Sequence, residues 1–186
     1  RRAVLGQALP LTYDTPLHTE KGRGVWLYDA DGQPHLDCYN NVAHLGHCHP
    51  HVVRTVARQA ATLNTNTRYA FDSVVSYAER LGALMPGDLS CCLFVNSGSE
   101  AVDLALRMAK AVAGQDGMLA MDGAYHGITA ESYAVSPATE WDAPDRGNLR
   151  HVSQIRPDIA LLQNPDTFRG PYGIDANDVA ALYAAD

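Results

Sequence analysis

An apolar run, a Ser-Gly-Ser turn and a long alanine-rich helix follow one another between Cys91 and Ala113, and this order leaves few folds open. Cys91 to Val95 reads as a buried strand. Asn96-Ser97-Gly98-Ser99 reads as a tight turn. Glu100 to Ala113 keeps Val102, Leu104, Ala105, Leu106, Met108, Ala109 and Val112 at helical spacing, with Gly114 as its C-cap. Met118 to Met121 is a second short apolar run, followed by Asp122-Gly123-Ala124-Tyr125-His126-Gly127. Cys91 to Met121 thus has the length and order of a β-α-β unit, which implies parallel strands and a right-handed crossover.

The turn before the helix has a chemical consequence. A helix N-terminus presents free N–H groups and the positive end of the helix dipole, which suit an anion. Gly98, lacking a Cβ, lets a ligand approach the backbone, and Ser97 and Ser99 add hydroxyls. The same residues also suit an ordinary strand-to-helix turn with Ser99 as N-cap. Asp103 would repel a phosphate and is expected to point away from it. In open α/β sheets ligands lie beyond the carboxyl ends of the strands, so the Ser97–Ser99 and Tyr125-His126 turns are expected on one edge. An aromatic ring and an imidazole beside a phosphate cradle suit a flat, phosphorylated cofactor. Taken singly, Tyr125 also reads as a packed loop tyrosine and His126 as an imidazole bonded to backbone.

Asn96-Ser97-Gly98-Ser99-Glu100-Ala101 and Gly123-Ala124-Tyr125-His126-Gly127 together resemble the class III pyridoxal-phosphate aminotransferases, of the aspartate-aminotransferase-like fold type I. Gly24 to Gly32, Asn40 to Pro50 and Pro165 to Gly170 carry the same resemblance, which spans about Gly22 to Gly173. Asn40 to His44, Leu63 to Tyr69 and Pro165 to Gly170 look most like the ethanolamine-phosphate and phosphohydroxylysine phospho-lyases, with the alanine–glyoxylate aminotransferase type two branch close behind.

The resemblance implies an α/β fold. Residues 1–48 would form an N-terminal arm and hairpin segment of a small domain. Residues 49–186 would form the first part of a large, mostly parallel-sheet, cofactor-binding domain. It implies pyridoxal 5'-phosphate as cofactor. Gly98 and Ser99, with Ser97, would hold the phosphate; Tyr125 would stack on the pyridine ring with His126 beside it. Tyr39, Asn40 and Asn41 would line the substrate pocket. Arg68 is a candidate for a substrate anion, and equally reads as a solvated surface arginine. The family holds its cofactor on a lysine and pairs the ring nitrogen with an aspartate, both downstream of Pro165–Gly170. The lysines here are Lys21 and Lys110. Lys21 precedes the hairpin, and Lys110 sits about 16 Å along the helix from Ser99. Neither suits the role. The expectation is therefore a fragment of a longer protein, inactive as it stands.

The implied reaction is elimination of phosphate from a small phosphorylated amine or amino acid. A transaminase needing a keto-acid acceptor is the first alternative, and a lysine-free binding module the second. A homodimer is implied, with the helix after His51 and Leu63–Tyr69 as the expected interface.

Composition narrows the classes further. The net charge of −7 comes without a basic patch, which argues against nucleic acid. No apolar run approaches membrane-spanning length, and Arg1-Arg2 heads no signal-peptide core. The cysteines, Cys38, Cys48, Cys91 and Cys92, contain no CxxC. Cys91 and Cys92, alternating on a strand, fit a reduced core and a cytoplasmic setting. His44, His47, His49 and His51 cluster without structural-zinc spacing, so no metal is expected. Elsewhere the sequence predicts a hairpin turn at Asp31-Gly32 and helices over 50–62 and 73–84. A loop is predicted over 136–157, a strand over Ile159–Leu162 and a helix over Asp175–Ala185 with Asp175 as N-cap.

Overall fold

The computed structural model describes residues 15–39, 43–66, 68–137 and 156–185. The chain forms two units, Arg1–Asp72 and Ser73–Asp186.

In the first unit three short strands pair antiparallel in chain order: β1 (Thr19–Arg23), β2 (Trp26–Asp29) and β3 (Pro34–Leu36). The expected turn at Asp31-Gly32 joins the last two. The Asp29 carboxylate ties it, accepting from the N–H groups of Asp31 (3.0 Å) and Gln33 (2.8 Å). Its other oxygen meets His35 Nε2 at 2.8 Å. His35 and the two N–H groups hold the Asp29 carboxyl below its ordinary pKa. Gly24 and His47 exchange both backbone hydrogen bonds, which fastens the following loop to the strands. His47 Nε2 also lies 2.7 Å from Asp37 Oδ2. Helix α1 (Pro50–Thr62) starts at Pro50, whose missing N–H costs nothing in a first turn. Its apolar side, Val52, Val53 and Val56, is exposed.

The second unit holds α2 (Asp72–Gly82, from the last residue of the first unit), α3 (Gly98–Ala113), β4 (Met118–Met121), the short α4 (Ala130–Ala134), β5 (Ile159–Leu162) and α5 (Val179–Ala185). β4 and β5 pair parallel, Met118 opposite Ile159 through Met121 opposite Leu162. The core gathers on them: Ala120, Val135 and Ile159 are buried, with Val102, Leu106, Met118, Ala134 and Leu161 packed around. Val102 and Leu106 stand one helical turn apart, so one face of α3 covers the strand pair.

Three expectations need correction. Cys91–Val95 lies in no strand; among the described residues nothing completes a ladder with it, so its apolar pattern is left unpaired. Cys91, Leu93, Phe94 and Val95 are exposed rather than core, while Phe94 stacks on Tyr77 at 5.2 Å. The last helix begins at Val179, not after Asp175. Asp178 takes φ 53°, a left-handed conformation that a helix cannot run through. Finally, the N-cap of α3 is Ser97, not Ser99. Of the predicted loop over 136–157, residues 138–155 lie outside the described residues.

Candidate functional site

The N-terminus of α3 is capped by Ser97. Ser97 has extended backbone, and its Oγ accepts from Glu100 N at 3.2 Å. The Glu100 carboxylate turns back and accepts from Asn96 N at 2.6 Å. Ser97-x-x-Glu100 is the capping-box signature, a sequence signal that identifies Ser97 as the cap. The Ala101 N–H bonds to the Ser97 carbonyl at 3.1 Å. Two first-turn donors are left: among the described residues nothing accepts from the N–H groups of Gly98 and Ser99. The space where a Gly98 Cβ would stand is open to 4 Å. Gly114, at φ 63°, closes the other end of the 16-residue helix as expected.

The second turn comes to meet the first. β4 ends at Met121, and Asp122 N continues the ladder to Leu162 O at 2.8 Å. The chain then passes Tyr125, 62% exposed, and His126, also exposed. It reaches Gly127, which is buried against α3. Ile128 N donates to Ser99 Oγ at 3.1 Å. A hydroxyl that accepts one bond keeps its own proton to donate elsewhere. Thr129 Oγ1 lies 3.2 Å from Ser99 O and 3.1 Å from Asp103 Oδ1. Glu131 N donates to the same carboxylate oxygen at 2.9 Å. That N–H bond, with the Thr129 hydroxyl, holds the Asp103 carboxyl below its ordinary pKa. Asp103 thus spends its charge on the start of α4.

Behind the turn lie hydroxyls that sequence reasoning missed. Ser132 and Ser136 are buried, at 0% and 1% exposure. Ser136 Oγ accepts from His126 N at 2.8 Å, and Ser132 Oγ from Thr129 N at 3.1 Å. Their only trace in the sequence is the run of small hydroxyl residues at Thr129, Ser132 and Ser136.

The structure therefore brings Ser97, Gly98 and Ser99 together with the Tyr125–Thr129 turn. Tyr39 and Arg68 belong to the first unit and are exposed, their N–H groups bonded to Asp37 Oδ1 and Asn66 Oδ1. Asn40 and Asn41 lie outside the described residues. Lys110 is engaged far along α3, 2.8 Å from Glu131 and 3.8 Å from Asp158. Arg156 completes that cluster, 2.8 Å from Asp158 and 3.5 Å from Glu131. It draws the Asp158 pKa down to about 2. Lys21 Nζ sits 5.7 Å from the Tyr28 ring centre. Among the described residues no three His, Cys, Asp or Glu side chains converge as a metal site would need. No described helix is long and apolar enough to cross a membrane.

The arrangement offers an anion two open N–H donors, one hydroxyl and a helix dipole, next to the turn that carries the exposed residues Tyr125 and His126. That donor set fits the phosphate of a planar cofactor.

The family model for aminotransferase class-III matches residues 10–180. The chain is 42% identical, over 99% of its length, to 37% of an alanine–glyoxylate aminotransferase 2-like protein of Drosophila melanogaster. It is 36% identical, over its whole length, to 39% of the ethanolamine-phosphate phospho-lyase homolog 1 of Caenorhabditis elegans. Among solved structures, a phospholyase from Arthrobacter in complex with phosphoethanolamine matches the whole chain, at 36% identity and a TM-score of 0.81, over 42% of its own length. The chain thus spans about two-fifths of the relatives it matches.

Proposed function

Because the chain belongs to the class-III aminotransferase family, we propose that the protein is a pyridoxal-phosphate-dependent phospho-lyase acting on a small phosphorylated amine such as O-phosphoethanolamine. The observation that carries the reading is the match in sequence and structure to a phospholyase whose structure holds phosphoethanolamine. The open donors at Gly98 and Ser99 support the cofactor assignment.

In this reading Gly98 and Ser99 bind the cofactor phosphate through N–H groups, and Ser99 adds its hydroxyl proton. Ser97 keeps the turn in shape through its bond to Glu100. Tyr125 covers the pyridine ring, and His126 stands at its edge. Tyr39, Asn40 and Asn41 line the substrate pocket, and Arg68 pairs with the substrate's phosphate. When bound, pyridoxal phosphate supplies the electron sink that stabilises a carbanion on the substrate. The substrate then loses phosphate from the neighbouring carbon, and water releases an aldehyde and ammonia. The protein works as a homodimer, with α1 and Leu63–Tyr69 at the interface; full-length enzyme that is active and sediments as a monomer would overturn this. Cytoplasmic placement belongs to the same reading, and fractionation finding the protein only in mitochondria would remove it.

The test is phosphate release. Full-length protein loaded with pyridoxal phosphate is given O-phosphoethanolamine without a keto acid. Cofactor-dependent inorganic phosphate supports the lyase. The Drosophila relative favours a second reading, a transaminase. Amino-group transfer to pyruvate or glyoxylate, with no phosphate released, would decide for it. Arg68→Ala should lower kcat/KM on the phosphorylated amine by about tenfold or more, the scale of a lost charge-assisted bond; an unchanged value removes Arg68 from the site.

A further inference from the structure

We propose that Thr129 is a positioning residue for the phosphate cradle, locking the Tyr125–Ile128 turn to the first turn of α3. The proposal rests on the cofactor reading above and goes beyond it, because Thr129 itself is given no contact with the cofactor.

The hydroxyl stands where three elements meet. Its oxygen is 3.1 Å from Asp103 Oδ1, 3.2 Å from Ser99 O and 2.8 Å from Ser132 Oγ. It has one proton to give, and both Asp103 and Ser99 offer acceptors for it. Ser132, fully buried, can donate into the remaining lone pairs. The Asp103 carboxylate is also bonded to Glu131 N, so Thr129 and the start of α4 are fixed to one anchor on α3. α4 has only five residues and cannot hold its own geometry without such anchors.

Two lines run from this point to the cradle. On one side the adjacent residue, Ile128, places its N–H on Ser99 Oγ, which leaves the Ser99 proton to be donated elsewhere. On the other side Ser132 O and Ser136 Oγ are hydrogen-bonded, and Ser136 Oγ accepts from His126 N. Thr129 therefore bears on both the Ser99 hydroxyl and the position of the His126 backbone. Without its hydroxyl the turn loses the Thr129 bond to α3, and Ile128, next to it in the chain, is held less firmly on Ser99 Oγ. The loss falls more heavily on the phosphate than on the ring.

The experiment compares affinities of the full-length apo-protein for pyridoxal phosphate and for pyridoxal, by absorbance titration. The variants are Thr129→Val, which keeps shape and removes the hydroxyl, and Thr129→Ser, which keeps the hydroxyl. The expected result is a loss of about tenfold in pyridoxal-phosphate affinity for the valine variant, with a clearly smaller loss for pyridoxal. Thr129→Ser should restore phosphate affinity to within about twofold of wild type. An equal loss for both ligands would mark a merely structural role and overturn the proposal, as would no loss at all. Should Thr129→Val not fold, Asp103→Asn weakens the same anchor while keeping its shape. A phosphate-selective loss is again expected, and equal or absent losses again overturn it. Wild type that binds both ligands equally would instead remove the cradle reading, and the proposal with it.

Discussion

Replacing Gly127 by alanine measures how closely the second turn presses on α3. A Cβ there would collide with Ser99 Oγ and come within 2.6 Å of Ser132 Oγ and 2.7 Å of Ser99 Cα. The two hydroxyls can rotate; the Cα is backbone and cannot. Bringing 2.7 Å out to an ordinary contact of 3.4 Å moves the turn by about 0.7 Å. That displacement breaks into the Ile128–Ser99 bond, already 3.1 Å long. Gly127 also has φ 137°, a region that side chains rarely adopt. Strain of about 1–3 kcal/mol and overpacking of about 1–3 kcal/mol give a total of about 2–6 kcal/mol. Gly123 is the control: it has φ 72° but open space around its Cβ position, so alanine there costs only about 1–2 kcal/mol of backbone strain. Urea unfolding of the full-length apo-protein reads both. A Gly127→Ala variant as stable as wild type, or no less stable than Gly123→Ala, would refute the close approach of turn and helix.

Ser97→Ala removes the acceptor for Glu100 N and should cost about 1 kcal/mol in the same unfolding assay; no change would mean that Glu100 finds another partner. Acid sensitivity follows from the Lys110–Glu131–Arg156–Asp158 cluster. Lys110 lowers the Glu131 pKa from 4.5, and Arg156 lowers that of Asp158 from 3.8 to about 2. Both folded values lie below the unfolded ones. Their stabilisation is thus full above the unfolded values and is lost as pH falls through each folded value, about 2 for Asp158. Replacing Glu131 with glutamine should flatten the unfolding midpoint's dependence over that range, and an unaltered acid limb would contradict the cluster's role.

What the sequence made legible is what depends on neighbours along the chain. The helical spacing from Val102 to Val112, the cap at Gly114, Pro50 at a helix start and the Asp31-Gly32 turn each express a local rule, and each appears in the structure. Cys91–Val95 failed because a strand needs a partner, and an apolar run does not say whether one is present. The choice between Ser97 and Ser99 was decidable from Glu100 three residues after Ser97, the Ser-x-x-Glu spacing outweighing proximity to the apolar face. The late start of α5 was not decidable. Asp178 is forced into the left-handed region, while Tyr183 OH bonds to Asp166 O and Tyr172 O and packs edge-on against Tyr172. The meeting of Ser99 with Ile128 and Thr129 spans about thirty residues. The expected meeting of the two turns holds although Cys91–Val95 forms no strand among the described residues, and the sequence did not say which hydroxyls would join them.

Phosphorus NMR of full-length protein loaded with pyridoxal phosphate tests most directly the proposal that the first turn of α3 holds a cofactor phosphate. A free phosphate monoester titrates with a midpoint near about pH 6. Held as a dianion by the N–H groups of Gly98 and Ser99 and the Ser99 hydroxyl, the bound resonance should stay fixed from about pH 5.5 to about pH 8 and move in Ser99→Ala. A bound resonance that titrates like the free cofactor and ignores that substitution would contradict the claim.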